Sequence, residues 1–179
     1  MLEYYEDPTP GLQGMASLAS HTQLPLATNM VITTLDDFRK GADMGAVKVL
    51  LSDHHYWGSL RVTQTLARMC AAWDLGMSMH SNSHLGISMM AMTHVAASIP
   101  NLSYACDTHY PWQEEKVGRI QFEQGTVLVH NTPGLGVELD YGQLVALHAQ
   151  YLACPVRNRD DLAQMRKYQS DFSGISPRF

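Results

Sequence analysis

Five residues that could bind a metal ion or move a proton recur along this chain at nearly equal spacing. They are Glu6, Asn29, Asp53, His80 and Asp107, and the intervals between them are 23, 24, 27 and 27 residues. Carboxylate and amide oxygens suit hard divalent cations such as Mg²⁺. A carboxylate that accepts a hydrogen bond from an imidazole orients the ring and raises its basicity. The set therefore predicts metal binding and proton transfer, if the fold brings these side chains together.

Each pair also has a structural explanation. Glu6 and Asn29 are candidates to share one cation, but Glu6 could cap a turn and Asn29 could satisfy loop backbone. Asp53 and His80 are candidates for a carboxylate–imidazole dyad, although a lone histidine is more often structural and the chain has nine.

Other histidines lie close to this dyad in the sequence. The string HSNSH (80–84) suggests a zinc pair through His80 and His84, but no complete zinc motif accompanies it. His54 and His55 directly follow Asp53, and since adjacent residues of a strand point to opposite faces, at most one of them faces the same way as Asp53.

The elements that must position these residues follow a repeating pattern. Each of the five residues lies in a short apolar or β-branched run, at the point where the predicted strand ends, and an amphipathic helical stretch follows most of these runs. The runs cover 2–8, 24–30, 47–55, 77–84 and 102–109, and the helical stretches cover 13–21, 34–45, 59–76 and 86–99. This alternation predicts successive βα units and a parallel sheet, whose active sites form at the carboxyl ends of the strands.

Several side chains have a predicted structural role. In the second helix Leu35 and Phe38 are expected to face inward, and Ser59 is expected to cap the start of the third helix. Met89, Met90 and Met92 fit core packing. Cys106 is expected on the outer, helix-facing side of the sheet.

The pattern changes after residue 117. Residues 118–140 alternate apolar and polar positions with turn signals at Gly125 and Pro133, which predicts antiparallel strands. A closing helix is predicted over 140–153, followed by a polar loop or frayed helix. We therefore expect βα units over 1–117, antiparallel strands and the closing helix over 118–155, and a C-terminal tail over 156–179.

Composition excludes several classes of protein. The chain has 179 residues, 45% hydrophobic, and a formal charge of -5, which argues against a nucleic-acid binder that works through a basic surface. It has no run of 18 apolar residues, so no membrane span is expected. The first residues lack the pattern of a signal peptide, and three scattered cysteines suit a reducing compartment, so we expect a cytoplasmic location.

Several strings in the sequence are also recognisable as an ordered set. From about residue 2 to residue 142 they resemble the C-terminal part of the glucarate dehydratases, a branch of the mandelate racemase group in the enolase superfamily. The strings are YYEDP (4–8), ATNM (27–30), SDHHYWGS (52–59), HSNSHLGIS (80–88), ACDTHYPWQ (105–113) and NTPGLGVELD (131–140).

The resemblance implies that residues 1–117 form a partial barrel, strands four to eight of an α/β TIM-type (β/α)₇β barrel that holds Mg²⁺. It also implies that the strands and helix over 118–155 return toward a capping domain. By the same resemblance, the metal ligands are Glu6 and Asn29, the proton-transferring dyad is Asp53 and His80, and the substrate contacts are Asn82, His109 and Asp107. The implied reaction is that of a lyase: removal of an α-proton and loss of water from an acid sugar, D-glucarate, to give 5-keto-4-deoxyglucarate.

This sequence also departs from the family pattern. The Lys motif that closes the second strand and the Asp ligand that closes the third are not in it. We therefore expect the reaction to need an N-terminal half, and a homo-oligomer is a further possibility. Two alternatives stay open: a catalytically inactive fragment or pseudoenzyme subunit that pairs with a full-length homologue, and a related acid-sugar dehydratase or epimerase.

Overall fold

A computed structural model describes residues 2–113, 117–158 and 160–174 of the chain. The chain divides into two compact units, Met1–Tyr141 and Gly142–Phe179. The first unit holds the sheet and all of the predicted site residues. In the second unit, the helical segments are Tyr141–Ala153, which begins at the boundary, and Asp161–Arg166.

The first unit is built from consecutive βα units, as the alternating pattern predicts. Four strands pair in parallel in the order β1-β2-β3-β4, and one helix follows each of them. The strands are β1 (Tyr5–Glu6), β2 (Leu26–Thr28), β3 (Val49–Ser52) and β4 (Gly76–Met79), and the helices are α1 (Gly11–Ala19), α2 (Leu35–Asp43), α3 (Leu60–Ala72) and α4 (Gly86–Ala97).

The two faces of this sheet bury different side chains, because successive residues of a strand point in opposite directions. Leu26, Leu50 and Met77 belong to the large core between the sheet and the helices. Ala27 and Val49 belong to a separate small cluster on the other face. In a barrel this second face is the interior, so strand residues near the site are buried on both sides.

Local capping fixes where the helices begin. The Ser59 hydroxyl accepts a hydrogen bond from the Val62 backbone N–H at 3.1 Å, so the predicted cap of α3 is confirmed. Thr34 caps α2 in the same way, through the Asp37 N–H at 3.1 Å. Such a cap contributes about 1 kcal/mol to helix stability.

The core of α4 also agrees with the sequence. Its three methionines are 2–3% exposed, so they are core residues as expected. Cys106 packs against the large helix-facing core, which is the predicted side of the sheet.

The structure differs from the prediction at several points. Leu35 is 53% exposed, so only Phe38 of the expected pair is buried. The fifth run pairs with β4 through a single parallel bridge, Met77 to Leu102, and the expected strands over 118–140 are reduced to two isolated antiparallel bridges. These segments consist of loops and a 3₁₀ turn, Tyr110–Trp112, rather than of long paired strands.

No helix in the described part of the chain is long and apolar enough to span a membrane.

Candidate active site

Four of the five predicted site residues follow directly from strand ends. Glu6 is the last residue of β1, while Asn29, Asp53 and His80 come immediately after β2, β3 and β4. Because β1 pairs with β2 at Glu6–Ala27 and side chains alternate along a strand, Glu6 and Asn29 share the face of Ala27. The same alternation puts Asp53 on the face of Val49 and Leu51. The sheet therefore directs these side chains to one edge of the interior face.

Asp53 is the most deeply buried charged group of this edge, with a side chain that is 0% exposed. Its Oδ1 accepts a hydrogen bond from the His55 backbone N–H at 2.8 Å. Its Oδ2 lies 3.8 Å from His80 Nδ1, which is an ion-pair distance but too long for a hydrogen bond. The same oxygen lies 3.5 Å from His84 Nε2. On its other side, Oδ1 lies 3.1 Å from His55 Nδ1. The carboxylate thus faces three imidazoles: the buried His84, the half-buried His80 and the exposed His55.

The electrostatics of this group follow from burial and these neighbours. Burial by itself raises the pKa of Asp53, but the imidazoles of His80 and His84 and the His55 N–H outweigh it and hold that pKa below its usual range. The Asp53 carboxylate raises the pKa of His80 against the opposing effect of burial, and Asp107 and Glu6 raise it further. Asp53 is therefore ionised and His80 is a stronger base than a free histidine.

Two further carboxylates, those of Glu6 and Asp107, act electrostatically on His80. Burial raises the pKa of Glu6, the positive charge of His80 lowers it, and the carboxylates of Asp7 and Asp107 raise it again. The Asp107 Oδ1 accepts a hydrogen bond from the Ser81 N–H at 2.6 Å, which ties the fifth run to the loop after β4. Asp7 and Asp107 thus lie close enough to Glu6 to disfavour its charged form.

Asp7 holds the Asn29 loop, a role that the sequence analysis missed. Its carboxylate accepts hydrogen bonds from the Thr28 hydroxyl and from the backbone N–H groups of Asn29, at 3.1 Å, and Met30, at 3.3 Å. Asp7 also has a left-handed backbone, with φ of 41°. A signal was available in the string EDP: an Asp before Pro that directly follows a strand-ending carboxylate is a turn residue that can bind neighbouring backbone.

The residues at this edge fit a hard divalent cation. Glu6 offers carboxylate oxygens and Asn29 an amide oxygen. Mg²⁺ commonly takes one or two protein oxygens and completes its shell with water and substrate. The crowding of Glu6 with Asp7 and Asp107 would also be relieved by a positive ion.

The two remaining predicted residues have different surroundings. Asn82 Nδ2 donates a hydrogen bond to the Tyr56 hydroxyl at 2.9 Å, and this links the loop after β4 to the loop after β3. His109 is exposed and lies 5.8 Å from the Trp112 ring, measured between centroids. Within the described residues, His109 forms no hydrogen bond or ion pair with the other predicted site residues. Its role as a substrate contact stays a prediction.

Consecutive βα units with acidic and amide groups at the strand ends match the model of a known family. The family described as enolase C-terminal domain-like matches residues 1–143. The chain belongs to this family.

The predicted resemblance to glucarate dehydratases is confirmed by a curated relative. The chain is 54% identical over 170 residues to a protein of Streptomyces coelicolor named probable glucarate dehydratase. The match covers 93% of this chain but 39% of the relative, so the chain spans about two fifths of that length. A D-galactonate dehydratase of Ralstonia pickettii is 28% identical over 135 residues, which cover 70% of this chain and 35% of the relative.

Solved structures share the fold closely. An enolase of Pseudomonas fluorescens, crystallised with magnesium, potassium and tartrate, is 57% identical with a TM-score of 0.89. An enolase of Gibberella zeae, complexed with magnesium, formate and sulfate, is 49% identical with a TM-score of 0.93. Each comparison covers 99% of this chain and 43% of the other.

Proposed function

We propose that this chain supplies the strand ends for Mg²⁺ binding and proton transfer in an acid-sugar dehydratase, a hydro-lyase. The observation that carries the proposal is the distance of 3.8 Å between Asp53 and His80, at the same ends of the parallel strands as Glu6 and Asn29. Magnesium in the structural relatives from Pseudomonas fluorescens and Gibberella zeae supports Glu6 and Asn29 as its ligands here.

The dyad can move a proton in both directions. Asp53 faces Nδ1 of His80, so the other ring nitrogen, Nε2, is the one left for substrate. A neutral His80 removes the proton next to the substrate carboxylate, and the resulting imidazolium is stabilised by Asp53. The same imidazolium can then donate its proton to the departing β-hydroxyl, which leaves as water. Bound Mg²⁺ would polarise the substrate carboxylate and make its α-proton more acidic.

D-glucarate is the proposed substrate, with 5-keto-4-deoxyglucarate as product. The 54% identity to a probable glucarate dehydratase favours this diacid. Tartrate in the Pseudomonas fluorescens enolase structure is also a hydroxylated diacid, which is the shape that this site would have to accept. Asn82, His109 and Asp107 are the proposed contacts to the substrate hydroxyl and distal carboxylate groups.

The reaction needs the remaining barrel strands, carried either by a longer form of this polypeptide or by a second chain. The proposed partner is the part of the barrel that would provide the Lys motif and the third metal ligand. Removing one member of a cooperating catalytic set usually costs several orders of magnitude in rate. We therefore expect negligible dehydration of D-glucarate by the 179-residue chain alone.

Complementation tests this proposal. The chain is mixed with the separately expressed N-terminal part of the Streptomyces coelicolor relative, and keto-acid formation from D-glucarate is followed with Mg²⁺. Activity should appear in the mixture, disappear with His80→Asn, and survive His21→Ala, which replaces an exposed histidine elsewhere.

The other outcomes are informative as well. Robust turnover by the chain alone would refute the need for a partner. Deuterium exchange from solvent into the diacid without loss of water would favour an epimerase. A pseudoenzyme subunit would be favoured if the complex forms but stays inactive and if it binds Mg²⁺ no better than a complex with the Glu6→Gln variant does.

A further inference from the structure

Three histidines and Asp53 converge outside the proposed Mg²⁺ ligands. One ligand atom each from Asp53, His54, His55 and His84 can be chosen so that all four lie within 4.8 Å of one another. We call this group the histidine cluster. Its ring centroids are separated by 4.2 Å (His54–His55), 4.6 Å (His55–His84) and 5.0 Å (His54–His84). The sequence analysis considered His84 with His80, but the structure brings it to His54 and His55.

Several polar atoms of the histidine cluster are buried without hydrogen-bond partners. Nδ1 of His54 and Nδ1 of His84 are in this state, and so are His84 Nε2 and Asp53 Oδ2, which face each other at 3.5 Å without a hydrogen bond. His84 is 3% exposed and His54 8% exposed. Buried polar atoms are ordinarily paired, and coordination to a metal ion would satisfy nitrogens of His54 and His84.

The donor set of the cluster also suits a cation. Besides its three imidazoles, the cluster contains the carboxylate of Asp53, whose side chain is 0% exposed. The cluster thus offers three nitrogen donors and one oxygen donor.

We propose that the histidine cluster is a binding site for a borderline divalent transition metal, of which Zn²⁺ fits best. Three imidazoles and a carboxylate are a tetrahedral donor set for Zn²⁺, whereas Mg²⁺ prefers oxygen donors. In a tetrahedral zinc site the ligand atoms lie roughly 3.4 Å apart, given Zn–N distances of about 2.0–2.1 Å. The cluster needs only a modest contraction to reach that spacing.

The surroundings provide an entrance and a support. The side chain of His55 is 52% exposed, so an ion can reach the cluster from solvent. Ser88, in the first turn of α4, contacts Nε2 of His54 at 3.3 Å and Nε2 of His55 at 2.9 Å. Such contacts orient metal-ligating imidazoles.

The site is distinct from the Mg²⁺ ligands Glu6 and Asn29, yet it shares Asp53 with the dyad. A metal ion there would engage the carboxylate that faces His80. Binding of a metal ion to the histidine cluster is therefore expected to oppose proton transfer by His80. The metal site itself does not depend on the identity of the substrate.

Metal titration of the full 179-residue chain tests the site. After treatment with a chelator and removal of the chelator, the chain is titrated with Co²⁺, whose visible absorption is intense in tetrahedral nitrogen sites, and then with Zn²⁺ in competition. We expect one Co²⁺ bound per chain, displacement by Zn²⁺, and no displacement by excess Mg²⁺.

Matched variants identify the ligands. His55→Ala replaces an exposed histidine and should weaken Co²⁺ binding at least about 100-fold, since even loss of an outer partner of a ligand costs 10–100-fold. His21→Ala, which replaces an exposed histidine elsewhere, should bind like the parent chain. His54→Gln provides a second, buried test, with circular dichroism as the check of folding.

Two results would overturn the inference. One is a parent chain that binds neither Co²⁺ nor Zn²⁺ more tightly than about 100 μM, a free energy near -5.5 kcal/mol. The other is equal affinity in the parent, His55→Ala and His21→Ala chains.

Discussion

Replacing Asp53 with Asn tests the electrostatic account of the candidate active site. The substitution keeps the shape of the side chain but removes the charge that faces His80 at 3.8 Å and His84 at 3.5 Å. Removing one partner of a buried charge pair costs about 3–5 kcal/mol. Because Asn retains an acceptor for the His55 N–H, we expect the lower limit, a loss of about 3 kcal/mol.

The loss should depend on pH in a defined way. The pKa of Asp53 lies below its ordinary value of 3.8, so its contribution is present above about pH 4 and is lost as the pH falls further. The pKa of His80 lies above its ordinary value of 6.5, so its contribution is complete below about pH 6.5 and is lost as the pH rises through the folded-state pKa. The difference between parent and variant should be largest between these two limits.

Urea denaturation in the presence of a chelator measures this difference. With an m-value near 2 kcal/mol/M, a loss of about 3 kcal/mol lowers the midpoint by about 1.5 M. Asp43→Asn is the control: it removes an exposed carboxylate that pairs with Arg39 at 3.5 Å, and it should cost less than about 0.5 kcal/mol. Equal midpoints for the parent and Asp53→Asn at pH 5.5, or a difference that does not change with pH, would refute this account.

Three further predictions address the surrounding structure. A Cβ at Gly86 would lie 2.1 Å from the carbonyl oxygen of Gly118, so Gly86→Ala should destabilise the chain by about 2 kcal/mol or more in urea, and an unchanged midpoint would contradict the close approach. Burial raises the pKa of the Cys70 thiol to about 12, so above pH 9 this thiol ionises in the unfolded state before it does in the folded state. The free energy of unfolding of the parent should therefore fall by about 1.4 kcal/mol per pH unit relative to that of Cys70→Val. Parallel pH profiles of the two proteins would be inconsistent with this. Asp7→Asn should weaken Mg²⁺ binding about tenfold by calorimetry, because the carboxylate orients the loop of Asn29, and unaltered affinity would argue against that role.

The sequence predicted the order of strands and helices because their hydrophobic periodicities differ and their ends carry local signals. Ser59 was identifiable as a cap from its position alone. The predicted burial of Leu35 was wrong. Leu35 is the first residue of α2. Periodicity predicts which side of the helix a residue lies on, but it does not predict whether neighbouring elements extend far enough to cover the end of the helix. Likewise, alternation over 118–140 did not produce strands, since a strand also needs a partner in register.

What the sequence determined by itself was the set of chemical groups and the spacing that links each to a strand end. Regular spacing was enough to expect Glu6, Asn29, Asp53 and His80 at one edge of a parallel sheet, because every parallel βα unit returns the chain to that edge. Tertiary structure alone decided which groups meet. His84 comes 31 residues after Asp53, in the loop before α4, yet packing places it 3.5 Å from that carboxylate. Such contacts depend on how loops fold over the strand ends, and no local periodicity encodes that.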